Sequence, residues 1–209
     1  MPFSLSIGEK SSEGSSPRLK RDNRRAQLLD AAARNFREQG YTAASMRDIA
    51  TDAGMKAGSM YYYFPSKADL LIALHEEGTR RISSAVNKAI EAELKPWERL
   101  EAAMAAHLEM LLDGGDYAQV VVRELALEEN SIRVRLVPLR DSYEAKFANL
   151  IDSSPIREDV PRQYLRLMIL GALNWSRVWY RPGGDAPTSI AHEFLEVLRP
   201  LANTQANGE

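Results

Sequence analysis

Residues 45–64 read SMRDIATDAGMKAGSMYYYF. The stretch has the dimensions of a helix-turn-helix: two short helices around a tight turn at Ala53, Gly54 and Met55. Ser45 and Asp48 fit a capping box, the hydroxyl taking an orphan amide and the carboxylate returning to the cap. Met46, Ile49, Ala50 and Ala53 give the first helix a buried face, and Gly54 relieves the steric cost of the turn. The second helix covers roughly 56–64. Pro65 ends it, because proline disfavours α geometry in the residue before it.

In a unit of this kind the first helix crosses the DNA backbone and supports the second, which lies in the major groove. Met60 and Phe64, at i and i+4, can anchor the second helix to a core. Lys56, Ser59 and Tyr63 share another face, with Tyr62 beside them. Ala57 and Gly58 are small and permit close approach. A lysine, a hydroxyl and tyrosines are suitable donors to phosphate oxygens. Tyr61, Tyr62, Tyr63 and Phe64 cover more than a full turn, so they cannot all face one core. Lys67, at the start of the following helix, offers a further phosphate contact.

Working outward, the chain reads as helix throughout. Period-3.6 patterns recur, and no strand-length alternation is present. A helix over 22–39 presents Leu29, Ala32, Ala33 and Phe36 and stops at Gly40. Ser66 and Asp69 repeat the capping signature and open a long helix over 67–89, lined by Leu70, Leu71, Leu74 and Ile82. Further helices are expected over 97–112, 117–127, 131–151 with Pro138 inside as a kink or late start, 162–180 and 188–201. Residues 1–16 are rich in Ser and Gly and read as a mobile tail. With the start of the basic run that follows they give a tail over 1–20, a helix-turn-helix domain over 21–82 and a second helical domain over 83–209.

Charge follows the same division. The net charge is −2 overall, but residues 17–81 hold 12 Lys/Arg against 8 Asp/Glu, whereas 82–209 hold 14 against 19. A basic first part and an acidic remainder suit a chain of which one part meets an anion. Arg18, Lys20, Arg21, Arg24 and Arg25 crowd the start of the first helix, either facing a phosphate backbone or forming a solvated helix start. There is no cysteine, which excludes disulfides, thiolate zinc sites and cysteine nucleophiles and is compatible with a reducing, cytoplasmic location. No apolar run of membrane-spanning length occurs, and the first twenty residues show no apolar core of signal-peptide length.

The pattern of Phe36, Gly40, Tyr41, Ile49, Ala50, Gly54, Gly58, Tyr61, Phe64, Lys67 and Leu70 resembles the DNA-binding domain of TetR-type transcriptional regulators. The resemblance covers residues 24–81; the remainder agrees in length and helicity. It implies an all-α homodimer, with three helices that bind a palindromic operator, a linking fourth helix, and a ligand-binding and dimerisation domain. By position, Lys56, Ala57, Gly58, Ser59, Tyr61, Tyr62, Tyr63 and Lys67 take the DNA-contacting roles, with Ser45 and Arg47 adding backbone contacts. Met55, where a small β-branched residue is usual, and Lys56, where a polar residue is common, depart from the family pattern.

In the second half, Met104, His107, Leu108, Met110 and Leu111, with Tyr143, Phe147 and Leu150, are candidates for an apolar effector pocket, and Trp175 is added to them. Ordinary core is the competing reading for each. Dimer contacts are expected from the last two long helices, through Leu167, Met168, Gly171, Trp175, Val178 and Trp179 and through Ile190, Phe194, Val197, Leu198 and Leu201. The segment GALNWSRVWYRPGG, 171–184, looks like one found in TetR-type regulators that answer to fatty acyl-CoA or related thioesters. That likeness implies an acyl-CoA or other apolar effector, with Arg123, Arg133, Arg135 or Arg177 meeting its anionic groups.

No enzyme motif of the G-x-S-x-G, H-E-x-x-H or P-loop kind is present. The acidic pairs Glu128-Glu129 and Glu158-Asp159 diverge on a helix and read as solvated surface. His75, His107 and His192 are scattered in sequence, so neither a metal nor a cofactor is expected. The reading is a ligand-released repressor. A constitutive DNA-binding or architectural protein, or an activator, is the alternative.

Overall fold

The computed structural model describes residues 17–93, 95–112, 115–123 and 130–202, with side chains for 21–93, 95–112, 115–121 and 130–202. Among the described residues there are nine α-helices and a closing 3₁₀ turn, and no strand. The helices are α1 (Pro17–Ala43), α2 (Met46–Asp52), α3 (Ala57–Tyr63), α4 (Lys67–Glu91), α5 (Pro96–Leu112), α6 (Asp116–Arg123), α7 (Asn130–Ser153), α8 (Arg162–Trp179) and α9 (Pro187–Leu198).

Helix α1 starts at Pro17, so the last four residues assigned to the tail are helical. Its regular part stops at Gly40, whose φ of 78° lies in the left-handed region that favours glycine. The buried stripe includes Leu28 and Ala31 besides the four expected residues. It is wider because α1 is contacted by α2, α4 and α6 at once. Pro138 lies inside α7 without ending it. The last helix is shorter than expected, giving way to the 3₁₀ turn Arg199–Leu201.

Both caps form with one difference from the expected box. Ser45 Oγ accepts from the Asp48 amide at 3.1 Å, and Ser66 Oγ accepts from the Asp69 amide at 3.0 Å. The carboxylates return to the serine hydroxyls, at 2.6 and 2.7 Å, and not to the cap amides. Aspartate is one methylene shorter than the glutamate of the reciprocal box, which accounts for the difference.

Two apolar cores result. The first joins Leu28, Phe36, Ile49, Met60, Phe64 and Leu70 to Tyr117 and Val120 of α6 and Ile132 and Leu136 of α7. The second gathers Val86, Leu100, Met104, Phe147, Leu165, Leu173 and Leu195 from α4, α5, α7, α8 and α9. Helix α4, at 25 residues roughly 37 Å long, runs through both. The core of the first half is therefore completed by residues far beyond position 82.

Candidate functional site

The turn between α2 and α3 is a Schellman motif. The Met55 amide donates to Ala50 O at 2.8 Å and the Gly54 amide to Thr51 O at 3.0 Å. Gly54 occupies the left-handed position with φ 67°. The end of α2 is tied to α1 by Asp52, which receives Arg34 at 2.9 Å and Asn35 at 3.2 Å. On the other side of the turn, Met60 (0% exposed) and Phe64 fix α3 to the core.

Those anchors set which residues face outward. Lys56, Gly58, Ser59, Tyr61 and Tyr62 are exposed, Ala57 and Tyr63 half-buried. Tyr62 is 70% exposed and meets Tyr63 edge to face at 5.4 Å. Arg47 is exposed on α2 and Ser45 is half-buried at its cap. A Cβ built on Gly58 meets nothing within 4 Å, so the gap over that residue is open to a partner. The Arg21 guanidinium sits 5.4 Å over the Tyr62 ring, and that of Arg25 sits 5.4 Å over Phe64. The first turns of α1 thus carry exposed Arg21, Arg24 and Arg25 alongside α3.

Lys67 behaves differently from its expected role. Its Nζ donates to Tyr41 O at 2.8 Å, Ala44 O at 3.0 Å and Thr42 O at 3.1 Å. It also lies 4.6 Å over the Tyr41 ring. An ammonium has three donors, and all three are committed. Lys67 is a clamp between α4 and the end of α1, and its side chain is not free for a phosphate.

A cavity of about 90 Å³ lies among α4, α5, α6, α7 and α8. Ile82, Val121, Leu136, Leu139 and Leu170 supply aliphatic walls, and His75, Thr79, His107, Tyr143 and Asn174 supply polar groups. Arg140 and Glu144 line it too, paired at 3.4 Å. His107 Nδ1 and Tyr143 Oη are 2.7 Å apart. Burial lowers the His75 and His107 pKa values to about 4 each, with Asn174 opposing the shift at His107. Burial also pushes the Tyr143 phenol up.

Of the expected pocket residues, His107 and Tyr143 line this space. Phe147 stands behind them, 6.1 and 5.8 Å from their rings. Met104, Leu108 and Leu150 are buried core, Leu111 is buried, and Met110 is half-buried. Trp175 is a correction: it is 62% exposed on the opposite face of α8, and Asn174 turns inward in its place. His75 was missed as a pocket residue. It lies within the buried stripe of α4 with Leu71 and Leu74, and a histidine in such a stripe is a usable signal. Although scattered in sequence, His75 and His107 meet at one cavity. Among the described residues no group of three or more His, Cys, Asp or Glu could hold a metal.

Among the described residues, Arg140 is the arginine that lines the cavity. Arg133 and Arg177 are exposed elsewhere, and Arg135 pairs with Asp69 at 2.9 Å. The side chain of Arg123 lies outside the described residues, as do Glu128 and Glu129; Glu158 and Asp159 are exposed.

The outer face of α8 carries Tyr164, Leu167, Met168, Trp175, Val178 and Trp179, all exposed, with Gly171 midway and open. On α9 the expected face is corrected. Leu198 and Ile190 are buried in the second core, Phe194 and Leu201 are half-buried against it, and Val197 (74% exposed) faces outward. The α9 stripe serves the monomer because its contacts are mainly with α5.

Helix α6 joins the two halves. The Tyr117 hydroxyl donates to Asp30 of α1 at 2.7 Å, and Arg37 of α1 meets Asp116 at 2.6 Å. Arg81 of α4 lies 4.0 Å over the Tyr117 ring. Val121, one helical turn past Tyr117, lines the cavity.

An exposed helix-turn-helix flanked by the arginines of α1 and coupled through α6 to a cavity-bearing helical body defines a DNA-binding regulator. Residues 28–74 match the family of bacterial regulatory proteins described as tetR, and residues 93–201 match the tetracyclin repressor-like C-terminal domain. The chain belongs to the TetR family of transcriptional regulators. It is 27% identical to the transcriptional repressor KstR2 of Mycobacterium tuberculosis over 187 residues, covering 85% of this chain and 92% of that one. AibR in complex with isovaleryl coenzyme A and operator DNA superposes with a TM-score of 0.75 at 22% identity, over 85% of this chain and 99% of that one. FadR from Bacillus subtilis in complex with stearoyl-CoA gives 0.71 at 24% identity, over 83% and 96%. Among the described residues no helix is long and apolar enough to cross a membrane.

Proposed function

We propose that the protein is a dimeric repressor that occupies a palindromic operator and is released by an acyl-CoA. The exposed face of α3 carries this reading: Lys56, Gly58, Ser59, Tyr61 and Tyr62 stand clear of a core that Met60 and Phe64 hold. Arg47, Arg21, Arg24 and Arg25 flank that face and supply phosphate contacts. Ser45, Ala57 and Tyr63 contribute from its margins. The Lys67 side chain acts on DNA only through the geometry it holds.

Two copies joined along α8 bring a second α3 to the next turn of the major groove, about 34 Å away or somewhat more. A two-fold axis across the outer face of α8 would set its six large apolar side chains against their own copies. Burial in the dimer explains side chains that a monomer would leave in water.

The effector is read from the cavity and from the relatives bound to isovaleryl coenzyme A and stearoyl-CoA. At about 90 Å³ the space is well below the ~300–1,000 Å³ of a filled small-molecule site. An acyl chain entering it must part α6 from α4 and α7. Since α6 is hydrogen-bonded to α1, that movement re-aims α3. The ligand acts by binding the DNA-incompetent state better than the competent one. Genomic fragments retained by the protein identify the operator, and band shifts on it with butyryl-, octanoyl- and palmitoyl-CoA test release. Retention of no specific fragment refutes the operator reading, and full operator occupancy at saturating acyl-CoA of every length refutes the effector reading.

A further inference from the structure

The polar side of the cavity holds two buried histidines from different helices. Nε2 of His75 and Nε2 of His107 are both buried without a hydrogen-bond partner. Each residue is 2% exposed. A native fold seldom leaves such atoms unsatisfied without a reason.

The proton on His107 can be located by hydrogen-bond bookkeeping. Tyr143 Oη lies 2.7 Å from His107 Nδ1, and among the described residues it has no other hydrogen-bond partner. The phenol carries one hydrogen. Donation from Tyr143 to Nδ1 satisfies both atoms, whereas donation the other way orphans the phenolic hydrogen. Nδ1 is therefore the acceptor, and Nε2 carries the proton. Asn174 beside it is close enough to raise the His107 pKa through a side-chain hydrogen bond, yet no bond of good geometry forms, so the Nε2–H is underused rather than satisfied. Burial keeps both rings uncharged near neutral pH.

An uncharged donor in a cavity that Glu144 also lines favours an uncharged acceptor. A carboxylate would bring a full charge with little to balance it. The cation lining the cavity, Arg140, is already engaged by Asp141 at 2.9 Å and Glu144 at 3.4 Å, and Glu144 lines the same space. A carbonyl oxygen has two lone pairs, so it can accept from His107 and also from His75 when that ring carries its proton on Nε2.

We propose that His107, held as its Nε2–H tautomer by Tyr143, and His75 together read the thioester carbonyl of the effector. These two residues set a preference for the activated acyl group over both the free acid and a chain without a carbonyl. The inference rests on the acyl-thioester reading above and names the atoms that carry it out.

Titration calorimetry on the full chain tests it, with butyryl-, octanoyl- and palmitoyl-CoA, the matching S-alkyl-CoA thioethers that lack only the carbonyl, and the free acids. For the chain length that binds, the thioether should bind about tenfold more weakly than the thioester, the size of one well-made hydrogen bond. His107→Leu should reduce the preference for thioester over thioether, the double variant His75→Leu/His107→Leu should abolish it, and His107→Gln, which keeps an N–H donor, should restore part of it. Unchanged helicity and operator affinity identify variants that have kept the fold. The ligand comparison on the unaltered protein stands even if none of the variants folds. Equal binding of thioester and thioether overturns the anchor while leaving the acyl-CoA reading intact. Absence of binding by every acyl-CoA removes that reading and the anchor with it.

Discussion

At position 62 the ring is 70% exposed, and at position 67 the ammonium is occupied by three main-chain carbonyls. Residue type alone would send both to a phosphate. The structure gives their losses different consequences. Tyr62→Ala should leave stability within about 0.5 kcal/mol, as exposed substitutions do. It should weaken operator binding by roughly tenfold, at the lower end of the ~1–3 kcal/mol of a good contact. Urea melts and band shifts measure the two quantities separately. Lys67→Met should cost about 1–3 kcal/mol in the urea melt, because carbonyls are left without their donor. Gly58→Ala separates the roles of fold and site. The space over Gly58 is empty, so alanine should raise stability by about 0.5–1 kcal/mol, yet it should weaken DNA binding if the gap admits the duplex.

Between elements, α4 and α6 approach closely at Gly78, on the proposed path from cavity to α3. A Cβ on Gly78 would lie 2.7 Å from Val121 Cγ2 and 3.3 Å from Tyr117 O. Gly78→Ala should wedge α6 away from α4, the same separation that a ligand must produce. The variant should bind operator poorly without effector while remaining folded by circular dichroism. Wild-type operator affinity in Gly78→Ala would show that α6 does not control α3. Tyr117→Phe removes the hydrogen bond to Asp30 and should loosen the same link at a stability cost of about 1 kcal/mol.

For the molecule as a whole, two buried histidines set the acid limb of stability. Their native pKa values of about 4 lie below the ordinary 6.5, so the unfolded chain takes up protons that the native one refuses. Stability therefore holds above pH 6.5 and falls as the pH drops toward 4, with a combined loss of several kcal/mol at the limit. Glu77, held down to about 2 by Arg80 and Arg81, adds its own loss only as the pH falls from 4.5 toward 2. Urea midpoints from pH 8 to 4 should show the decline, and replacing both histidines by phenylalanine should flatten it above pH 4.5. The proposed dimer surface lies on the outer face of α8, away from both histidines. Trp175→Glu should leave the monomer fold unchanged, since the ring is outside the core, and should abolish the dimer in sedimentation velocity.

The helices and the DNA-reading unit follow from the chain's local signals: apolar period, serine caps, a left-handed glycine and a proline stop. Ser45, Gly54, Met60, Phe64 and Ser66 were legible for that reason, and so was the exposure of some tyrosines, since consecutive residues on a helix diverge. Tertiary structure alone decided how distant residues meet. It spent Lys67 on the carbonyls of residues 41–44, turned Trp175 outward and Asn174 inward, and sealed Leu198 against α5. It also brought His75 and His107 to one cavity from separate helices. Periodicity tells which face of a helix is apolar, but not whether that face meets the core, a second copy or a ligand. That choice belongs to the neighbours, which the chain places from far along its length.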